Sequence, residues 1–220
     1  MTDLSQTEEN YLKAIFKICE KSGKSANTNA IAAQMETSAA SVTDMLQRLA
    51  GKGLIHYEKY RGVTLTPDGS RIATNLVRKH RLWEVFLVEK LQFSWSEVHE
   101  IAEQLEHIKS EELVEQLDRF LGFPKFDPHG DPIPDADGNF ARRKQRPLSE
   151  LSPGEAGVVV GVQDHTAAFL DFLDQLGIGL GTQIEVEVCF PYDESMRVKI
   201  KGNPMVLSHK VSHNLFVQKS

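Results

Sequence analysis

The chain has 220 residues, 40% of them hydrophobic and 25% charged, and 31 acidic residues against 25 Lys and Arg give a formal charge of −6. That balance excludes a disordered or low-complexity polymer and calls for at least one sizeable core in one to three domains. The longest apolar-leaning runs, residues 85–91 and 156–162, fall well short of the roughly 20 residues that a bilayer span needs, and the acidic total argues weakly against a nucleic-acid partner.

The opening residues carry neither the basic segment nor the apolar run of a secretory signal. Cys19 and Cys189 are isolated, so no disulfide framework is expected and a reducing cytoplasm is the default location. The acid excess is uneven: residues 1–73 hold 9 basic and 8 acidic side chains, 74–150 hold 11 and 15, and 151–220 hold 5 and 8. Thr7-Glu8-Glu9-Asn10 starts a helical pattern over 7–21 with apolar Tyr11, Leu12, Ile15, Phe16 and Cys19. A short helix over 29–34, a turn at Thr37-Ser38 with its own cap, and a helix over 39–51 follow. Residues 54–60 and 63–66 then read as two strands around Arg61-Gly62. Two short helices followed by a hairpin predict a winged helix-turn-helix over 1–73.

Thr66-Pro67-Asp68-Gly69 caps a long helix reaching about residue 90, Ser94-Trp95-Ser96 opens another through 107, and 110–121 makes a third. This helical region, with a Pro/Gly/Asp-rich stretch at 122–147 that reads as a linker, forms a second domain over 74–147. In the last segment, 148–220, short β-rich runs at 157–162, 183–190, 196–200, 205–208 and 215–218 surround one helix at 167–176, which predicts a small β-barrel.

His80 and Glu84 share one stripe of the long helix, and Glu103, Glu106 and His107 share another with His99 one turn earlier. Imidazole and carboxylate ligands together suit a divalent first-row metal. Any one of these side chains alone would by default be a solvated position. Phe126-Asp127-Pro128-His129-Gly130 offers a looser carboxylate–imidazole pair from a Pro-braced turn, whereas His56, His209 and His213 have no such company.

These residues resemble the diphtheria toxin repressor family of metal-dependent transcriptional regulators, above all its manganese-responsive transport regulators. The resemblance runs through Glu9-Asn10-Tyr11-Leu12-Lys13-Ala14-Ile15, Ser41-Val42-Thr43-Asp44-Met45, Tyr57-Glu58-Lys59-Tyr60-Arg61-Gly62, Arg78-Lys79-His80-Arg81-Leu82-Trp83-Glu84, Leu105-Glu106-His107 and Pro128-His129-Gly130-Asp131-Pro132. It covers essentially the whole chain. It implies a winged helix-turn-helix, a helical metal-binding and dimerisation domain, and an SH3-like third domain.

By the same resemblance, a primary metal site uses His80, Glu103, Glu106 and His107, completed by position 10. Manganese-type relatives usually carry Asp at that position; here it is Asn10, so the ligand is an amide oxygen or neighbouring Glu9. A second site uses Glu84, Asp127 and His129, with Asp127 standing where close relatives have Cys, and a ligand from the third domain: Asp164, or His165. Mn2+ or Fe2+ is the implied metal, with Zn2+, Co2+ and Cd2+ expected to substitute in vitro. The implied partner is double-stranded DNA, read as a palindromic operator by a homodimer. Ser38, Ala39, Ala40, Ser41, Thr43, Asp44, Gln47 and Arg48 would face it from the recognition helix, and Lys59 and Arg61 from the wing. The expected function is metal-activated repression of metal-uptake genes, with no enzymatic activity, small-molecule substrate or membrane. Two rivals, a metal-binding hydrolase and a metal storage or delivery protein, leave the winged-helix segment unexplained.

Overall fold

Ser5, two residues ahead of the expected cap, starts the first helix. In a computed structural model, which describes residues 4–58 and 61–219, α1 spans Gln6–Ser22. Ser5 Oγ accepts from Glu8 N–H at 3.3 Å, and the Glu8 carboxylate accepts from Ser5 N–H at 2.9 Å. This reciprocal pair needs a hydroxyl followed three residues later by a long acid. Thr7 has Asn10 in that place, which explains the shift.

The described residues form two compact units: one runs to residue 80 and takes in 105–110 and 134–139, and the other holds 81–104, 111–133 and the chain from 140 on. In the first unit, α2 (Thr28–Gln34) is capped by Asn27 and α3 (Ala39–Gly51) by Ser38. Leu12, Ile15, Ile31, Val42, Leu46 and Leu49 are fully buried and join the three helices in one core. β1 (Ile55–Glu58) and β2 (Gly62–Leu65) pair antiparallel, and Ala26 bridges to Val63 as a rudimentary third strand. The result is a winged helix-turn-helix. α4 (Pro67–Leu91) starts with Thr66 Oγ1 accepting from Gly69 N–H at 3.1 Å. A Cβ on Gly69 would collide with the Leu54 carbonyl, so only glycine lets the helix abut the hairpin here.

In the second unit, Leu82 and Val85 of α4 pack with Val114 and Leu117 of α6 (Glu111–Phe120) and with Ile133. α5 covers Val98–Leu105, shorter at both ends than the expected 94–107. Ser94 instead caps a turn, bonding Glu97 through its N–H and its hydroxyl. At the other end Ile108 N–H reaches back to Leu105 O, so Glu106 and His107 sit in a turn and not on a helical stripe.

The last part of the chain forms an antiparallel sheet in the order β3-β8-β4-β5-β6-β7, from β3 (Arg146–Pro147), β4 (Ala156–Val162), β5 (Gln183–Cys189), β6 (Met196–Ile200), β7 (Asn203–Leu207) and β8 (Leu215–Lys219). Alternating burial along β6 puts Met196, Val198 and Ile200 against Phe169, Leu170 and Leu173 of α7 (Ala167–Gln175), as a sheet covered on one face requires. α8 (His209–Asn214) was not anticipated; six residues are too few to display a helical period, and its cap, Ser208 Oγ to Val211 N–H, is the only local sign.

The stretch expected to be a linker is instead fastened down. Asp127, His129 and Ile133 are buried. Val162 N–H donates to His129 O at 2.9 Å, and the Arg143 guanidinium donates to Gly130 O and Val160 O while lying 3.9 Å over the Phe126 ring. Pro and Gly enforce particular turns as readily as they loosen a chain, and composition does not distinguish the two.

Glu155 ties the sheet ends together: its carboxylate accepts from Arg146 at 3.1 Å, Lys219 at 3.0 Å and Ser152 N–H at 2.9 Å. Led by the Ser152 N–H, these donors hold its pKa down at about 2. A depressed carboxylate stabilises the fold above its unfolded value and loses that contribution as pH falls to the folded value. Glu155→Gln should therefore lower the melting temperature at pH 7, and the gap from wild type should close between about pH 4.5 and 2. A gap that stays constant over that range would rule out the carboxylate as its source.

Candidate metal centres and nucleic-acid interface

The first centre lies in the unit that carries the winged helix. Glu106, fully buried, directs Oε2 at His80 Nδ1 (2.6 Å) and at Lys13 Nζ (2.5 Å), and Lys13 Nζ is also 3.3 Å from His80 Nδ1. His107 Nδ1 meets Glu9 Oε2 at 2.6 Å, and its Nε2 is 4.0 Å from Glu106 Oε1. Three segments thus supply the group: α1 gives Glu9 and Lys13, α4 gives His80, and the turn after α5 gives Glu106 and His107.

Two buried oxygens, Glu106 Oε1 and Asn10 Oδ1, have no hydrogen-bond partner among the described residues. An unpartnered buried acceptor costs about 1–3 kcal/mol, and more when it is charged. Glu106 Oε1 is a hard oxygen donor 4.0 Å from His107 Nε2, and oxygen with imidazole is the mixed set that Mn2+ or Fe2+ accepts, so the residues present fit a divalent cation. Lys13 is the member that sequence reasoning missed. The signal was available: on α1 it stands three residues beyond Asn10 and four beyond Glu9, hence on the same stripe. Glu103 falls in the other unit, on α5, with Oε1 3.9 Å from His99 Nε2.

The second centre lies wholly in that other unit. Glu84, Asp127 and His129 each offer a ligand atom within 4.8 Å of the other two, and all three are buried. His129 Nε2–H donates to Trp95 O at 2.8 Å, which turns Nδ1 toward Glu84 Oε2 at 3.8 Å. A ring nitrogen fixed by a carbonyl in this way orients its fellow toward a ligand. Glu84 Oε1 is 3.3 Å from His99 Nδ1. Asp127 Oδ1 accepts from the His129 and Asp131 N–H groups, and its Oδ2 is 3.5 Å from Arg81 Nε.

Burial, reinforced by the Glu84 charge, raises the Asp127 pKa to about 7. Burial opposes charge on His129, yet the Glu84 carboxylate beside it and Asp127 push its pKa up to about 9. Carboxylates held this close in a dry place mark a deficit of positive charge. Of the two third-domain candidates, the structure brings up His165, whose ring stacks on that of His129 with centroids 5.1 Å apart. Asp164 is turned to its own backbone, accepting from Thr166 N–H at 3.0 Å at the start of α7.

On α3, Ser38, Ala39, Ala40, Ser41, Asp44, Gln47 and Arg48 are exposed on the side away from Val42, Leu46 and Leu49. Thr43 is half-buried and spends its hydroxyl on Ala39 O at 2.9 Å, and the Ser38 and Ser41 hydroxyls are 2.9 Å apart. These hydroxyls stiffen the helix start, and Gln47 and Arg48 remain the long polar side chains. Arg61 is exposed in the wing and ion-pairs with Glu58 at 3.0 Å. Lys59 lies outside the described residues.

Three family descriptions match successive parts of the chain: the iron-dependent repressor N-terminal DNA-binding domain over residues 3–63, the iron-dependent repressor metal-binding and dimerisation domain over 66–135, and the FeoA domain over 146–219. The iron-dependent repressor IdeR of Mycobacterium leprae is 30% identical over 231 residues, with all of each chain covered. The diphtheria toxin repressor of Corynebacterium efficiens is also 30% identical over 231 residues, covering 100% of this chain and 98% of its own. Among solved structures, a manganese-dependent transcriptional repressor in complex with manganese superimposes with a TM-score of 0.84 at 34% identity, covering 97% of this chain and 100% of its own.

Proposed function

Because the chain belongs to the iron-dependent repressor family that includes the diphtheria toxin repressor, we propose that it represses transcription by binding DNA when a divalent metal, Mn2+ or Fe2+, occupies its buried carboxylate–imidazole centres. The family is one of transcriptional repressors and not of enzymes, which removes the hydrolase and storage readings. The observation that carries the proposal is the buried Glu106 carboxylate, with one oxygen unpartnered, in the same compact unit as the exposed face of α3.

In this reading residues 1–73 bind DNA, 74–147 bind metal and dimerise, and 148–220 form the SH3-like domain. Asn10, His80, Glu106 and His107, with Glu103, hold the activating metal. Glu84, Asp127 and His129 hold a second, with His165 the nearer third-domain donor and Asp164 the alternative. The metal supplies positive charge to buried acids. The chain does the rest: Glu106 and His107 anchor the turn after α5 to α1 and α4, and this fixes the pose of the winged helix. Two such heads in a homodimer, about one duplex turn apart, would read a palindrome, with Gln47 and Arg48 at base edges or phosphates and Arg61 at phosphate. Metal and DNA binding are then reciprocal, each tightening the other by the same factor. No helix of the described residues is long and apolar enough to cross a membrane, and the cytoplasm is the proposed location.

The test is selection of duplexes from a randomised library by the purified chain with Mn2+, Fe2+ or Zn2+, or with a chelator. Recovery of a palindromic consensus with Mn2+ or Fe2+ and none with chelator is expected. Equal recovery in chelator would reject metal activation, and a consensus without two-fold symmetry would reject the homodimer on a palindrome.

A further inference from the structure

The first centre already contains a cation, and it is part of the chain. Lys13 is 5% exposed at its side chain, and its Nζ stands 2.5 Å from the same Glu106 oxygen that faces His80, and 3.3 Å from His80 Nδ1. Resting on the reading that Glu106 and His80 are metal ligands, we propose that the Lys13 ammonium is a built-in stand-in for the metal, which must leave the site before a divalent ion can bind and which thereby sets the metal concentration at which the protein responds.

The physical case has three parts. First, the ammonium and a metal ion compete for the same lone pairs. His80 Nδ1 cannot coordinate a metal while it faces Nζ, and Glu106 Oε2 is shared by both neighbours. Second, the two cations cannot share the pocket. A divalent ion a few ångströms from an ammonium repels it strongly in surroundings this dry. Third, Glu106 is fully buried, and a buried carboxylate without a counter-charge is strongly destabilising. Lys13 neutralises it when no metal is present, so the metal-free protein keeps its fold and its α1-to-turn connection. The price is affinity: every binding event must first break the Lys13–Glu106 pair. Asn10 Oδ1 and Glu106 Oε1 have no hydrogen-bond partner among the described residues to give up.

Lys13 is thus a positioning and threshold residue, not a ligand. Its stem is anchored on α1 between Leu12 and Ala14, both buried, and the ammonium has four side-chain torsions with which to swing away.

The experiment uses the full metal-free chain and Mn2+ alone. Calorimetric titration follows the Mn2+ equivalent that Glu106→Gln removes, in wild type, Lys13→Met and Lys13→Arg. Amine acylation read by mass spectrometry follows the exposure of Lys13 in the wild type with and without Mn2+. The expected result is at least tenfold tighter Mn2+ binding in Lys13→Met, no gain in Lys13→Arg, and a several-fold rise in Lys13 acylation when Mn2+ is added. Lys13 acylation unchanged by Mn2+ overturns the proposal, and that arm needs no variant to fold. So does Lys13→Met binding no tighter than wild type, or Lys13→Arg gaining as much as Lys13→Met. Should Glu106→Gln bind Mn2+ as tightly as wild type, Glu106 is not a ligand and the metal-site reading falls together with this one. If Glu106→Gln weakens binding and the Lys13 arms are flat, only the stand-in role is lost.

Discussion

Glu106→Gln is expected to lower the response of DNA binding to Mn2+ by on the order of a hundredfold while leaving the protein folded. Gln keeps the shape and one oxygen acceptor for Lys13 and His80 but removes the charge, which is the property a divalent ion requires. Because Lys13 then keeps a hydrogen bond and loses its counter-ion, the metal-free variant should also be less stable, at or below the roughly 3–5 kcal/mol measured for broken buried pairs. His107→Ala should weaken the response in the same direction by removing an imidazole donor, the one whose Nδ1 meets Glu9 Oε2 at 2.6 Å. Fluorescence anisotropy on a selected duplex, titrated with Mn2+, reads the response, and circular dichroism reads the fold. An undiminished Mn2+ response in folded Glu106→Gln would remove this carboxylate from the activating site.

The second large effect is expected at a glycine. Gly130 has φ +89°, and a Cβ there would run into Val160 O and Gly161 Cα, backbone atoms that cannot rotate aside. Gly130→Ala combines left-handed strain with a backbone clash and should cost about 3 kcal/mol or more. Gly154 is the control: its φ is +86°, but a Cβ there meets nothing within 4 Å, so Gly154→Ala should cost only the strain, about 1 kcal/mol. Urea unfolding measures both. Since Gly130 follows His129 directly, the Ala variant should also lose the metal equivalent assigned to Glu84, Asp127 and His129, read as a drop in Mn2+ stoichiometry. Equal costs at the two glycines would show that the close approach to Val160 contributes nothing.

Much of the architecture was legible because its causes are local. The Ser38 cap, the period of α3 and the alternation along β6 each concern residues within a few positions of one another, and those signals survive without tertiary context. One boundary moved to a stronger local contact, Ser5 with Glu8 in place of Thr7, whereas α5 ends at Leu105 just before Glu106 and His107, whose partners Lys13, His80 and Glu9 are distant in sequence. The stretch 122–147 is not a free linker because the backbone that pins it, at Val160 and Val162, lies outside its own pattern.

For this protein, then, the sequence by itself determined which chemical groups are present and the helices and strands that carry them: imidazoles and carboxylates enough for two centres, on a winged helix, a helical segment and a small β domain. The tertiary structure alone decided which of them meet. His80 and Glu106 lie 67 and 93 positions from Lys13, and the stripe that Lys13 shares with Glu9 and Asn10 does not say that its charge will be buried against an acid. His165 and not Asp164 stacks on His129 because the short polar side chain of Asp164 finds its own backbone first. Long-range electrostatic pairing depends on the distance and dryness that folding creates, and neither exists in the chain before it folds.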